Sequence, residues 1–89
     1  MEKRDLKTGM VVLDRDGNIF RVMRKTPYGD LLIGANSWNK LDAGYNKDLT
    51  HNEFKEFDII LVAIVRPYQL MDKYFKIDFE DAEIIYERR

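Results

Sequence analysis

Eighty-nine residues make one small domain, near the size at which a single hydrophobic core is just sufficient. Fifteen Lys and Arg against sixteen Asp and Glu give a net charge of −1, which removes the electrostatic case for non-specific binding to DNA or RNA. The absence of Cys excludes disulfides, thiolate chemistry and cysteine metal sites, and the longest apolar run, Ile59 to Val65, is too short to span a bilayer. With no signal-peptide core after the charged start Met1-Glu2-Lys3-Arg4-Asp5, the expectation is a soluble protein of a reducing cytoplasm, as one domain over residues 1–89.

Leu6-Lys7-Thr8-Gly9 reads as an entry turn before a strand over Met10-Val11-Val12-Leu13. Asp14-Arg15-Asp16-Gly17-Asn18 follows, and Asp-Gly between two apolar runs is a strong hairpin signal, because Gly, Asn and Asp tolerate the positive φ such a turn requires. The return strand, Ile19 to Arg24, alternates Phe20 and Val22 with Arg21, the pattern of a strand covered on one side. Thr26-Pro27-Tyr28-Gly29-Asp30 predicts a second turn, Leu31 to Gly34 a third strand, and Trp38 to Leu41 a short fourth.

Thr50-x-x-Glu53 matches a helix capping box ahead of Phe54 and Phe57, so a helical turn is expected there. Asp58 to Val65, with seven consecutive apolar residues from Ile59, reads as the central strand, covered on both faces. Pro67 ends it. Tyr68 to Phe75 fits either a short helix or an irregular arm, and Glu83 to Glu87 gives a last strand. Five or six short strands joined by tight turns predict a mainly β fold, a small strongly bent antiparallel sheet or an SH3-like barrel with one or two helical turns.

Asp14-x-Asp16-x-Asn18 has the opening spacing of a calcium loop, but the sixth position is Ile19 instead of Gly and the twelfth is Lys25 instead of Glu, so it reads as a hairpin turn. His51 is the only imidazole, which rules out a multi-histidine metal site within the chain. No nucleophile elbow, phosphate loop or carboxylate pair is visible. The expectation is therefore a protein that is not an enzyme and carries no metal or cofactor.

The segment Gly34 to His51 gathers the only Trp, the only His and three Asn in a stretch too polar and too broken by Gly for ordinary core. Loops of that kind carry binding more often than packing. Two readings of Trp38 stay open: an aromatic that closes one end of the core, or a platform on which a base, a ring or a partner side chain stacks. On the second reading Asn36, Asn39, Tyr45, Asn46 and His51 supply donors and acceptors, and Tyr28 and Arg24 complete the candidate ligand-binding set.

Asp5-Leu6-Lys7-Thr8-Gly9-Met10-Val11-Val12, Trp38-x-x-Leu41-Asp42, Tyr45-Asn46-x-Asp48-Leu49-Thr50, Phe57-Asp58-Ile59, Arg66-Pro67 and Ile85-Tyr86-Glu87-Arg88 together resemble a family of small uncharacterised proteins encoded by phages and prophages of Gram-positive gut bacteria. The resemblance implies an SH3-like phage accessory protein in the host cytoplasm and no known activity. The expected function is antagonism of bacterial defence by binding, either sequestering a nucleotide-derived immune signal or blocking a host defence protein. A pocket shared between identical subunits, in a dimer or higher homo-oligomer, would let so short a chain enclose a ligand. The alternatives are an SH3-like nucleic-acid-binding module of phage gene expression, against which the neutral charge counts, and a structural or adaptor protein of the virion. No membrane partner is expected.

Overall fold

Short apolar runs separated by Gly and Asp-Gly turns fold into one six-stranded antiparallel sheet, in a computed structural model that describes residues 1–65 and 82–88. The strands are β1 (Val11–Asp14), β2 (Ile19–Thr26), β3 (Gly29–Ile33), β4 (Trp38–Lys40), β5 (Ile59–Ile64) and β6 (Glu83–Glu87). One short helix, α1 (Leu41–Gly44), follows β4, and single 3-10 turns cover Lys3–Asp5 and Lys55–Phe57. The mainly β class expected from the sequence is what the chain adopts.

Strand order is β4-β3-β2-β1-β5-β6. The first four strands form a meander and β5 returns beside β1, so β1 and β2 are the middle strands. This corrects the expectation that the run from Asp58 to Val65 is central. The terminal strands β4 and β6 do not pair with each other among the described residues, so the sheet is described as open, without the closure of a barrel. Its register shifts at Leu13/Asp14, between Met23 and Thr26, and at Val62/Ala63, the irregularities that bend and twist a sheet.

Register separates the two faces. Val12 lies opposite both Phe20 and Val62, and Val22 lies opposite Leu32, so these five share a face. They form the core with Leu6, Leu41, Tyr45, Leu49 and Ile59. The other face carries the row Trp38, Ile33, Arg21, Val11, Ala63 and Ile84. Val11 and Ala63 are buried in the middle of that row, while Trp38 and Ile84 at its ends are exposed. β5 is unevenly buried despite its unbroken apolar sequence: Ile59, Val62 and Ala63 are buried, Ile60 and Leu61 are half-buried, and Ile64 is 44% exposed. Full burial of this strand is therefore corrected.

The β1–β2 connection is the turn that Asp-Gly predicts. Gly17 has φ +87°, the Asn18 backbone N–H donates to Asp14 Oδ1 at 2.8 Å and its amide donates to Asp14 Oδ2 at 2.9 Å. Both oxygens of Asp14, a carboxylate 2% exposed, are thereby satisfied. The capping box at Thr50 is not formed. The Thr50 hydroxyl instead donates to Asp48 Oδ1 and accepts from the Asn46 amide, and the helical turn begins only at Lys55. Pro67 and the Tyr68 to Phe75 segment lie outside the described residues.

Candidate functional site

Between the β1–β2 turn, β4 and the segment 45–57 lies a cavity of about 350 Å³, lined by Asp14, Asn18, Phe20, Ser37, Asn39, Tyr45, His51, Phe54 and Phe57. Period-two alternation along β4 turns Asn39, opposite Leu32, toward this core face. Tyr45 and His51 meet as an isolated antiparallel bridge at the neck of a tight loop. Within that loop the Asn46 N–H donates to the Thr50 carbonyl at 2.7 Å and the Leu49 N–H to the Asn46 carbonyl at 3.0 Å. Leu49 sits at φ +74° with its side chain fully buried, so core packing holds a leucine in a conformation that favours glycine.

Four rings form the aromatic wall. His51 meets the Tyr45 ring edge-on at 5.2 Å, stacks on Phe54 at 6.0 Å and 27°, and meets Phe57 edge-on at 5.3 Å. Phe54 and Phe57 are themselves edge-to-face at 5.7 Å, arrangements that aromatic quadrupoles favour. His51 Nδ1 accepts the backbone N–H groups of Glu53 and Phe54 at 3.2 and 3.1 Å, which leaves Nε2 to carry the ring proton. Nε2 lies on the Gly44 side of the ring, where a Cβ at position 44 would come within 3.8 Å.

Two buried carboxylates shape the electrostatics. Asp58 Oδ1 accepts the His51 backbone N–H at 2.7 Å, and Oδ2 receives Arg15 Nε at 3.5 Å. Burial, followed by the charges of Asp14 and Asp58, pushes the Tyr45 hydroxyl from 10.0 up to about 12. Tyr45 is thus a proton donor throughout the neutral range. The Arg15 N–H donates to the Asp58 carbonyl at 3.1 Å and the Asp16 N–H to the Glu56 carbonyl at 2.9 Å, tying the β1–β2 turn to the opposite lip.

Of the eight residues predicted to bind, Asn39, Tyr45 and His51 converge on this cavity. Asn36 lines an adjoining cleft of about 260 Å³ with Gly17, Asn18, Phe20 and Ser37 among its walls. Trp38 is elsewhere: it pairs with Ile33 on the opposite face and lines a separate apolar groove of about 310 Å³ with Tyr28, Leu31 and Ile33. At 58% exposure it is not the plug of the core either, which corrects that reading. Asn46 is occupied in shaping its loop.

Arg24 is engaged in fastening the N-terminal segment. Its Nε donates to the Leu6 carbonyl at 2.9 Å, Nη2 to the Lys3 carbonyl at 2.7 Å, and Nη1 pairs with Asp30 at 2.9 Å. The Lys25 backbone N–H and this guanidinium hold the Asp30 carboxyl below the usual range.

Phe20, Phe54, Phe57, Asn18 and Ser37 were not among the predicted site residues. A signal for two of them exists in the sequence: His51, Phe54 and Phe57 recur every third residue, a spacing that collects rings on one side of tight turns. No family model, curated protein or solved structure matches the chain.

Proposed function

We propose that the protein is a non-enzymatic binder of a small planar molecule, with a nucleobase or similar ring held in the aromatic cavity. The observation that carries this reading is the composition of the cavity wall: the rings of Phe20, Tyr45, His51, Phe54 and Phe57 stand beside the neutral hydrogen-bonding groups of Ser37, Asn39 and Asn18. Such a mixture of apolar surface with a few placed polar groups is how small-molecule sites bind and orient a ring. Among the described residues the wall contains no Lys or Arg, so it suits the base of a nucleotide-derived ligand, with any phosphate directed out to solvent.

Both buried carboxylates are occupied by hydrogen bonds, Asp14 with Asn18 and Asp58 with His51 and Arg15, which supports retention over reaction. Placed in the phage setting that the resemblance implies, a binder of this kind would act by sequestering a nucleotide-derived signal of host defence.

Calorimetric titration with a panel of nucleosides and nucleotides tests the reading. Saturable binding is expected, and Phe54→Ala should weaken it by about 1–3 kcal/mol, the range for stacking of a base on an aromatic ring. Because Phe54 is 48% exposed, folding stability should change less than affinity does. Absence of binding across the panel, or binding indifferent to Phe54→Ala, would refute the proposal.

A further inference from the structure

We infer that the chain pairs with a second copy of itself along the β4 edge, forming a two-fold symmetric dimer in which Lys40 of each copy covers Trp38 of the other. The inference is independent of what the cavity holds.

It begins with the hydrogen-bond phase of the β3–β4 hairpin. The Gly34 N–H donates to the Ser37 carbonyl at 2.8 Å, which makes Gly34 and Ser37 a hydrogen-bonded pair. Antiparallel pairs alternate, so Leu32 and Asn39 form the next hydrogen-bonded pair, while Trp38 and Lys40 are non-bonded positions whose N–H and C=O groups point away from β3. β4 is the end of the sheet among the described strands. Its outer edge therefore presents the Trp38 N–H, the Trp38 C=O and the Lys40 N–H, while the Lys40 C=O is engaged at the N-cap of α1.

An antiparallel copy centred on Asn39 fits this edge. Asn39 meets its own symmetry mate, and Trp38 falls opposite Lys40 of the other copy. Each Lys40 N–H then donates to a Trp38 carbonyl, giving two equivalent bonds across the axis. Trp38 and Lys40 lie on the same face, two residues apart, so the ammonium of one copy comes over the indole of the other, a cation–π contact made twice. A lysine on an edge strand ordinarily deters pairing. Here the register sets it against an aromatic ring instead of a second lysine. The exposed side chains of Tyr28 and Trp38, with Leu31 and Ile33 beneath them, add the apolar surface that such an interface needs.

Lys40 has φ −78°, within the range proline adopts, and its N–H is not used by β3, so Lys40→Pro removes the outward donor without breaking the sheet. Sedimentation velocity of the full chain should show a monomer–dimer equilibrium, and the emission of the sole Trp should shift to the blue as concentration rises. Lys40→Pro should weaken dimerisation about tenfold or more. Lys40→Gln, which keeps the backbone donor, should weaken it less. Should circular dichroism show that Lys40→Pro fails to fold, Trp38→Ala, at an exposed side chain, supplies the same readout. A wild-type chain that stays monomeric at high micromolar concentration overturns the inference. So does a dimer unaffected by Lys40→Pro, or by Trp38→Ala where the proline variant is unfolded.

Discussion

Tyr45 couples folding to alkaline pH, and the effect can be isolated with one substitution. In the folded chain its hydroxyl ionises near pH 12, while the unfolded chain releases the same proton near 10.0. Above the lower value the unfolded state holds fewer protons than the native state, so stability falls as pH rises. Below it, the contribution is complete. A tenfold difference in proton affinity between the two states corresponds to about 1.4 kcal/mol, so the loss attributable to Tyr45 alone is about 1.4 kcal/mol near pH ~11 and approaches about 2–3 kcal/mol beyond the folded value. The quantity to measure is therefore the difference between wild type and Tyr45→Phe, by urea denaturation at a series of pH values. At neutral pH the two proteins should differ by less than about 1 kcal/mol, because the buried ring is retained. The wild type should then lose stability faster than the variant as pH rises past 10.0. Parallel pH profiles would refute the assignment of a buried, acid-flanked hydroxyl at this position.

Two further outcomes test the packing. Val62→Asp should abolish folding, since an unpaired charge in the core costs several kcal/mol, whereas Ile64→Lys, two residues along the same strand, should remain folded by circular dichroism. Arg24→Lys should lower stability by about 1–3 kcal/mol in urea titrations, because an ammonium cannot reproduce the planar fork that reaches Leu6, Lys3 and Asp30 together; a neutral result would show that the N-terminal segment is not held by this residue.

Much of the sheet was legible because its turns are chemically explicit. Asp16-Gly17 and Pro27 with Gly29 mark connections that the backbone confirms, with Gly17 and Gly29 both at positive φ. Strand rank was not legible. The seven apolar residues from Ile59 to Val65 carry no information about how many neighbours lie on each side, and the exposed Ile64 belongs to the same run as the buried Val62. Alternation along β4 could have separated Trp38 from Asn39, since adjacent strand residues face opposite sides, but a strand of three residues offers too short a pattern to fix its ends. The aromatic wall was missed for a different reason. Phe54 and Phe57 read in the sequence as the face of a capped helix, whereas the bonds of Thr50 with Asp48 and Asn46, and of the Glu53 and Phe54 N–H groups with His51 Nδ1, set them in tight turns beside His51.

The ties between the β1–β2 turn and the segment 56–58 bear on the kinetics of binding at the proposed site. Backbone bonds from Arg15 to Asp58 and from Asp16 to Glu56 join the two lips, and the paired oxygens of Asp14 fix the turn that carries Asn18. A guest entering between lips already locked together encounters a formed receptor and has little chain to order on arrival. Association should then proceed in a single phase whose rate rises linearly with guest concentration. Differences in affinity among related guests should be found almost wholly in how long each one stays.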